Sequence, residues 1–364
     1  MVEFGAIIGE SAEWTKFTLF KPFNFKKWMA LTFIALMAGS MSNGCNFNTG
    51  SGWNNSHHYE QKQAQAPQGA AGGQAQTVTP LMKQKPSHED VVLISVVIGT
   101  IIIFILVIVI LFSWLASRFS FVFLEDVIKN EASIDGPFAA NADVGNSYFR
   151  FNIVFIAVFL AIFGFLMYLA VAALIKSGLV NTSSPSPEQV IKIILMLIPV
   201  ILAALALFTI TAVISLIMKD LAVPIMYKER IRSLAAWGKS WELIKKNAGD
   251  FTVYVLIKMG LGIGAGIVYL LAFIAGFLIV AIPVALVVFA LWLITKTVPG
   301  IAILPYWIFF GVMLAPVCLF LLYCLIALNL PFAVFFRTYS LKFLEKLDPR
   351  YAIIKTEEPL APQQ

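Results

Sequence analysis

Long apolar runs alternate with short polar segments along this chain. Most of the runs exceed the roughly 20 residues with which a helix crosses a bilayer. Because lipid offers the backbone no hydrogen-bond partner, such runs form helices, and the pattern predicts an all-α, polytopic helical membrane protein. Only 13% of residues are charged, against about 25% in soluble domains. The predicted spans are residues 28–41, 91–117, 151–175, 190–218, 251–295 and 301–330.

The most basic segment, residues 221–250, lies between two of these runs. Its large apolar residues recur at helical spacing and so share one face: Ile231, Leu234, Trp237, Trp241 and Ile244. A basic helix with tryptophans is typical of a membrane surface, and we predict that residues 228–247 lie along the cytoplasmic one. The alternative is an amphipathic helix packed on a protein core. The residues expected at the interface are Trp14, Arg230, Trp237, Lys239, Trp241, Lys245, Lys246 and Arg337.

The distribution of lysine and arginine predicts the topology. Seven lie in residues 219–250, whereas the short loops 177–188 and 297–303 contain none. Because cytoplasmic loops are the basic ones, six spans with both termini cytoplasmic fit best, and seven spans are the alternative. The run 251–295 is too long for one span. Six spans favour residues around 277–296 as a re-entrant or peripheral helix, and the alternative is a break near Gly276 or Pro283 into two spans, so that residues 277–302 span, re-enter or leave the membrane.

Four regions follow from this pattern. Residues 1–42 comprise an interfacial helix and the first span, and residues 43–90 form a flexible Gln/Gly/Asn-rich extracytoplasmic loop. Residues 91–351 form the helical membrane domain, and residues 352–364 are a polar tail. The first run is short, so a signal processed at Cys45 is an alternative to a first span.

A sequence motif recurs at an offset of 107 residues: Leu221, Pro224, Arg230 and Ser233 correspond to Leu328, Pro331, Arg337 and Ser340. A weaker match to this motif lies at 121–133, about 100 residues before the first copy. The spacing predicts three units, each an interfacial helix followed by two spans. Chance similarity between apolar segments is the alternative.

Charged groups that could do chemistry are rare in the spans. The predicted spans contain no Asp or Glu, and Lys258 is the one basic residue well inside them. It either forms a buried functional site or, as we predict, extends its long side chain to the interface. Histidines 57, 58 and 88 lie in or beside the polar loop without the rigid surroundings that a metal site needs. We therefore predict no catalytic residue, cofactor or metal, and no enzyme activity.

Glycines mark the fifth span as a helix-packing surface. Two overlapping GxxxG pairs lie on two of its faces, and small residues of this kind let helix backbones approach closely in lipid. The contact is either within one chain or between two copies. The glycines are Gly260, Gly262, Gly264 and Gly266.

Three blocks of the sequence carry a resemblance to a known group of proteins. They are LFKPFNFKKWMALTFIALMAG near the start, PIMYKERIRSLAAWGKSWELIKKNAGDF in the middle and LPFAVFFRTYSLKFLEKLDPRY at the end. Together they resemble an uncharacterised family of bacterial polytopic membrane proteins, which is distantly similar to the membrane domain of some glycerophosphodiester phosphodiesterases. The resemblance implies a multi-pass protein of the bacterial inner membrane and brings no catalytic residues with it.

These features favour a non-enzymatic scaffold or accessory subunit, with membrane lipid and either protein partners or a second copy as its partners. The alternative is a permease-like carrier of a lipid or small apolar solute. A polar cavity between the repeats would favour the carrier, and a solid helix core would favour the scaffold. Nucleic acid is not expected, because the basic residues cluster beside apolar runs, where they orient helices.

Overall fold

The computed structural model describes residues 3–41, 88–176, 186–297 and 303–354, and every regular element within these ranges is helical, as the sequence predicts. Two compact units are present, Met1–Phe47 with Phe112–Gln364, and Asn48–Leu111. The helices are α1 (Phe4–Phe20), α2 (Phe25–Met37), α3 (His88–Lys129), α4 (Asp135–Ala140), α5 (Ala142–Lys176), α6 (Pro187–Ile217), α7 (Val223–Glu229), α8 (Ser233–Lys246), α9 (Ala248–Thr297), α10 (Ile303–Ala327) and α11 (Leu330–Leu347).

Five helical stretches of the described chain are long and apolar enough to cross a membrane. Helix α2 is not among them, because its 13 residues rise only about 20 Å against a hydrocarbon core of about 30 Å. The five stretches are Ser95–Lys129, Ala142–Lys176, Val190–Glu229, Ala248–Ile294 and Phe310–Leu347.

Helix α9 continues without interruption past Gly276 and Pro283. The alternative of two spans separated at either residue is therefore wrong, and residues 277–296 continue the same helix. A proline removes only one helical hydrogen bond, whereas a full break in an apolar run would leave several backbone groups without partners. At 1.5 Å per residue, α9 is about 75 Å long, which is well beyond the thickness of a bilayer.

Burial changes sharply along the long helices of the larger unit. In α9, Phe251, Tyr254 and Lys258 are buried, whereas Ile263 is 64% exposed. The same change occurs near residue 113 of α3 and residue 152 of α5. We call the buried end the basal core. It consists of α1, α4, α7, α8, α11, and residues 113–129, 142–151, 213–222, 248–258 and 348–354.

Helix α11 lies at the centre of the basal core, and most of its side chains are buried. Pro331 stands in its first turn, where a proline has no helical hydrogen bond to lose. One side of α11 packs on α1, where the rings of Phe4 and Phe343 stack 6.2 Å apart. Another side packs with α2 and the end of α3 through Val334, Leu31 and other apolar residues.

Candidate functional site

A wider helical turn brings a carboxylate into the basal core. Residues Met218–Ala222 form a π-helical turn between α6 and α7. Pro224, two residues after this turn, cannot donate a hydrogen bond to the carbonyl of Asp220 four residues earlier, so the regular α-helical ladder is interrupted there. As a result Asp220 is only 6% exposed, with Leu221 and Ala222 buried beside it.

Two side chains of α9 meet this carboxylate. The Tyr254 hydroxyl donates to Asp220 Oδ2 at 2.8 Å, and Lys258 Nζ forms an ion pair with the same oxygen. Residues 254 and 258 are four apart, so they lie on the same face of the helix. Lys258 is 6% exposed, and the prediction that it reaches the interface is wrong.

Arginine 337 joins α11 to the same group. Its Nη1 donates to the carbonyl of Lys219 at 2.8 Å, and its guanidinium lies 5.9 Å from the centre of the Phe123 ring. Lys219, Lys258 and Arg337 all interact electrostatically with Asp220. Lys258 is the cation that forms an ion pair with the carboxylate, and the charges of Lys219 and Arg337 lie near enough to be attracted to it. We call these residues, with Tyr254, the buried ionic cluster.

Aromatic rings close this cluster on one side. The Tyr254 ring stacks on Phe343 with the centroids 4.0 Å apart and on Tyr339 with the centroids 5.2 Å apart. A buried charge pair is expensive to desolvate, and removing one partner typically costs about 3–5 kcal/mol because the other charge is left alone. The arrangement is thus suited to holding the π turn, α9 and α11 in one register.

The C-terminal turn, residues Pro349–Tyr351, closes another part of the basal core. The Tyr351 hydroxyl donates to Glu229 Oε1 at 2.7 Å, and burial together with this bond raises the pKa of Tyr351 above its usual range. The Arg350 guanidinium beside Asp348 lowers the pKa of that carboxyl. This turn therefore ties the end of α11 to the end of α7.

A cavity of about 730 Å³ lies between α3 at Trp114, the start of α5 and the segment that connects α7 to α8. Trp114 Nε1 and the Arg118 guanidinium both donate to Asn146 Oδ1, at 3.1 and 3.2 Å. Gly145 permits this approach, because a Cβ there would lie 3.0 Å from Arg118 Cγ. We call this space the arginine cavity. Its polar lining includes Asp143, Asn146, Arg150, Arg230 and Arg232.

One face of α8 packs on the rest of the basal core, as in the alternative that the sequence left open. Ala236, Ser240 and Ile244 are buried, and Trp237 stacks on Phe151 at 6.3 Å. Leu234 and Trp241 point away from the core, with 74% and 45% of their surfaces exposed. The five apolar residues of the sequence pattern therefore divide between two environments.

The other predicted interface residues also differ in their surroundings. Trp14 is partly buried and donates Nε1 to the Val127 carbonyl at 3.0 Å. Arg337 lies inside the basal core at 7% exposure, whereas Arg230 is exposed and donates to Asn141 Oδ1 at 2.7 Å. Lys239 pairs with Glu229, and Lys245 and Lys246 are exposed near the end of α8.

The repeated serines have different partners. Ser233 donates its hydroxyl to the Ser147 carbonyl at 3.0 Å, and its backbone N–H donates to Ser147 Oγ at 3.0 Å. Ser340 instead donates to the carbonyl of Arg337 within α11 at 2.8 Å. Pro224 and Pro331 both stand in the first turn of a helix.

The predicted glycine ridge has no neighbour at two of its positions. A Cβ built on Gly260 or Gly264 would meet no atom of the described chain within 4 Å. Gly262 is buried and Gly266 is half-buried. A close approach within the described chain occurs at Gly276, where a Cβ would lie 2.7 Å from Leu325 Cδ2. Cys45, His57 and His58 lie outside the described residues.

Asp220 is the residue that sequence reasoning missed. Lys219 and Asp220 look like the start of a basic surface segment, although apolar residues lie on both sides of them. The available signal was Lys258, because a lysine within a span needs a counter-charge, and Asp220 is the acid nearest to an apolar run on the preceding helix.

No curated protein and no solved structure matches this chain. A protein family described only as of unknown function matches residues 6–354, which is nearly the whole sequence. The chain with the buried ionic cluster and the arginine cavity therefore belongs to the family of unknown function DUF7544.

Proposed function

We propose that this protein is a non-enzymatic membrane scaffold or accessory subunit whose apolar helices bind partners within the bilayer. The observation that carries the proposal is the contrast between its two parts. The basal core is packed and held by a buried ion pair, whereas no side chain in the most apolar stretches of α5 and α9 is buried within one copy. Such surfaces contact either lipid or another protein.

Helix α9 is the strongest candidate for the partner-binding surface. It is the longest helix in the described chain, and Gly260 and Gly264 leave its backbone accessible. In lipid, small residues at helical spacing favour close helix association. The partner is therefore a second copy or another membrane protein with a complementary helix.

The proposed topology has six spans, with α2 as the short first span and both termini cytoplasmic. Its support is the charge distribution, because the basal core carries the lysines and arginines of α8 and α11. On this basis the basal core faces the cytoplasm. We also propose that the protein lies in the inner membrane of a bacterium and that it is distantly similar to the membrane domain of some glycerophosphodiester phosphodiesterases.

The proposed threefold repeat divides the chain into α1–α3, α4–α7 and α8–α11. Its support is geometric, because Asn130 and Arg230, 100 residues apart, both end a helix with a left-handed backbone (φ 58° and 56°). In this division the first helix of the third unit, α8, packs on the end of the second unit, which is α7 with the π turn. The first helix of the first unit, α1, packs in the corresponding way on α11 at the end of the third unit. Arg337 departs from the pattern, because it lies in the middle of a continuous helix.

A carrier of a lipid or small apolar solute is the second candidate. The observation in its favour is the arginine cavity, a polar space between the first and second proposed units. In a carrier this cavity would open to both sides of the membrane in turn, whereas in a scaffold it would stay on one side.

Photo-crosslinking in native membranes tests the scaffold proposal. A crosslinking amino acid is placed at Ile263, Leu271 or Ile279, which are exposed on α9, and at Glu242 on α8 as a polar control. We expect a discrete protein adduct from at least one α9 position and none from Glu242. If all three α9 positions capture only lipid, the scaffold proposal fails.

A further inference from the structure

The arginine cavity carries more positive than negative charge. Arg150, Arg230 and Arg232 line it together with a single acid, Asp143, so the formal surplus is two positive charges. Arg230 is already held by the Ala140 carbonyl and Asn141 Oδ1. Within the described chain, the side chains of Arg150 and Arg232 have no hydrogen bond or ion pair, so their guanidinium groups are free to bind a ligand.

A neutral donor faces the same space. Asn146 accepts bonds from Trp114 and Arg118 through its side-chain oxygen, which leaves its two amide N–H donors without a partner in the described chain. Guanidinium and amide donors that are not bonded to other protein groups are suited to a phosphate group, whose oxygens accept several bonds at once. The volume of about 730 Å³ accommodates a phosphate with additional groups attached.

The position of the cavity is also informative. Trp114 lines it at the level where α3 changes from exposed apolar residues to the buried basal core. Tryptophan at such a boundary is typical of the headgroup region, and basic pockets between helices on the cytoplasmic side bind anionic headgroups.

We propose that the arginine cavity binds a phosphate group, carried by an anionic phospholipid headgroup or by a soluble phosphate ester. Arg150 and Arg232 bind the phosphate oxygens, and the Asn146 amide donates beside them. The site does not depend on whether the protein is a scaffold or a carrier.

Native mass spectrometry and calorimetry of the full chain in neutral detergent test this proposal. The probes are phosphatidylglycerol, phosphatidylcholine, inorganic phosphate and glycerol phosphate. Saturable binding of phosphatidylglycerol that glycerol phosphate does not displace identifies a lipid site, and binding of the soluble phosphates identifies a soluble ligand. Binding of none of these anions, or equal binding of both lipids, overturns the proposal.

Variants separate this cavity from general attraction to a basic surface. Arg150→Gln with Arg232→Gln should weaken binding at least about tenfold, because two charge-assisted bonds are lost. The matched control is Lys245→Gln with Lys246→Gln, which removes the same charge from exposed positions outside the cavity and should change binding less than about twofold.

Asp143→Asn gives a change in the opposite direction. Removing the single acid raises the positive surplus, so binding should tighten by at least about twofold. Misfolding cannot produce a gain in affinity. If the two control lysines matter as much as the two arginines, or if Asp143→Asn has no effect, the phosphate is not bound in this cavity.

Discussion

At the scale of single residues, Asp220 determines how the basal core is held together. Its carboxylate meets a phenol and an ammonium from α9, and its neighbour Lys219 is bound through the backbone by Arg337. A buried pair of this kind adds little net stability over an apolar pair of the same size. We expect its effect to be on specificity, because any other register would leave a charge unpaired.

Asp220→Asn should therefore destabilise the protein strongly. Lys258 would remain buried without a counter-charge, at a cost of about 3 kcal/mol, and we expect thermal unfolding in detergent to occur several degrees lower. Glu188→Gln is the control, because its pair with Lys192 is exposed and worth less than about 1 kcal/mol. Adding Lys258→Met to Asp220→Asn should restore much of the stability. Equal melting of the Asp220 and Glu188 variants would contradict this account.

Gly145 allows α3 and α5 to approach at the wall of the arginine cavity. Gly145→Leu would place its Cβ 3.0 Å from Arg118 Cγ and 3.3 Å from Arg118 Cα, so the backbones must separate at a cost of about 1–3 kcal/mol. Gly164→Leu is the matched control on the same helix, where a Cβ meets no described atom within 4 Å. We expect a lower melting temperature for Gly145→Leu only, measured by fluorescence-detected unfolding. A comparable loss at both sites would mean that helix propensity, and not this contact, decides the outcome.

At the scale of elements, α8 shows how one amphipathic helix serves two environments. Its small residues and Trp237 pack on the basal core, and Leu234 and Trp241 remain exposed. The lysine at 245 lies 5.8 Å from the centre of the Trp241 ring. Leu234 and Trp241 are therefore the side chains of this helix that are available to lipid headgroups.

The two tryptophans of α8 should respond differently to the same substitution. Trp237→Ser removes the stacking on Phe151 and should lower the melting temperature, since a large, partly buried aromatic side chain that packs on the core is lost. Trp241→Ser should leave stability nearly unchanged and should reduce the quenching of tryptophan fluorescence by lipids brominated near the headgroup. If Trp241→Ser destabilises the protein and leaves the quenching unchanged, α8 does not contact the membrane through this side chain.

At the scale of the whole molecule, the packed basal core and the exposed apolar helices require different surroundings. The core excludes solvent as the interior of a soluble domain does, whereas Ile263, Leu271 and Ile279 of α9 are exposed. Isolated apolar surface of that extent would associate in water. A bilayer around the helices would cover this apolar surface with lipid. The excess of basic residues in the basal core favours a position of the core on the cytoplasmic side.

Cysteine labelling in intact cells tests this orientation. With the native cysteines replaced by serine, Gln68→Cys should react with a membrane-impermeant maleimide added outside, because the predicted loop 43–90 is extracytoplasmic. Glu242→Cys on α8 and Gln364→Cys at the C-terminus should react only after the cells are opened. Labelling of position 242 or 364 from outside would refute the cytoplasmic basal core and the even number of spans.

The sequence by itself determined where the long helices lie. A run of apolar residues in lipid must satisfy its own backbone hydrogen bonds, so composition and length suffice to predict a helix. They do not predict how far that helix continues, and α9 runs through Pro283 because one lost hydrogen bond costs less than a full break.

Only the tertiary structure decided which charges meet and which faces are covered. Asp220 and Lys258 are 38 residues apart, and Arg337 reaches Lys219 across 118 residues. The apolar run around Lys258 indicates that this charge needs a partner, but nothing in the local pattern identifies which acid will be buried beside it. The same holds for α8, where equal spacing places Trp237 against Phe151 and leaves Trp241 exposed. The position of the neighbouring helices makes that difference, and it is a property of long-range packing.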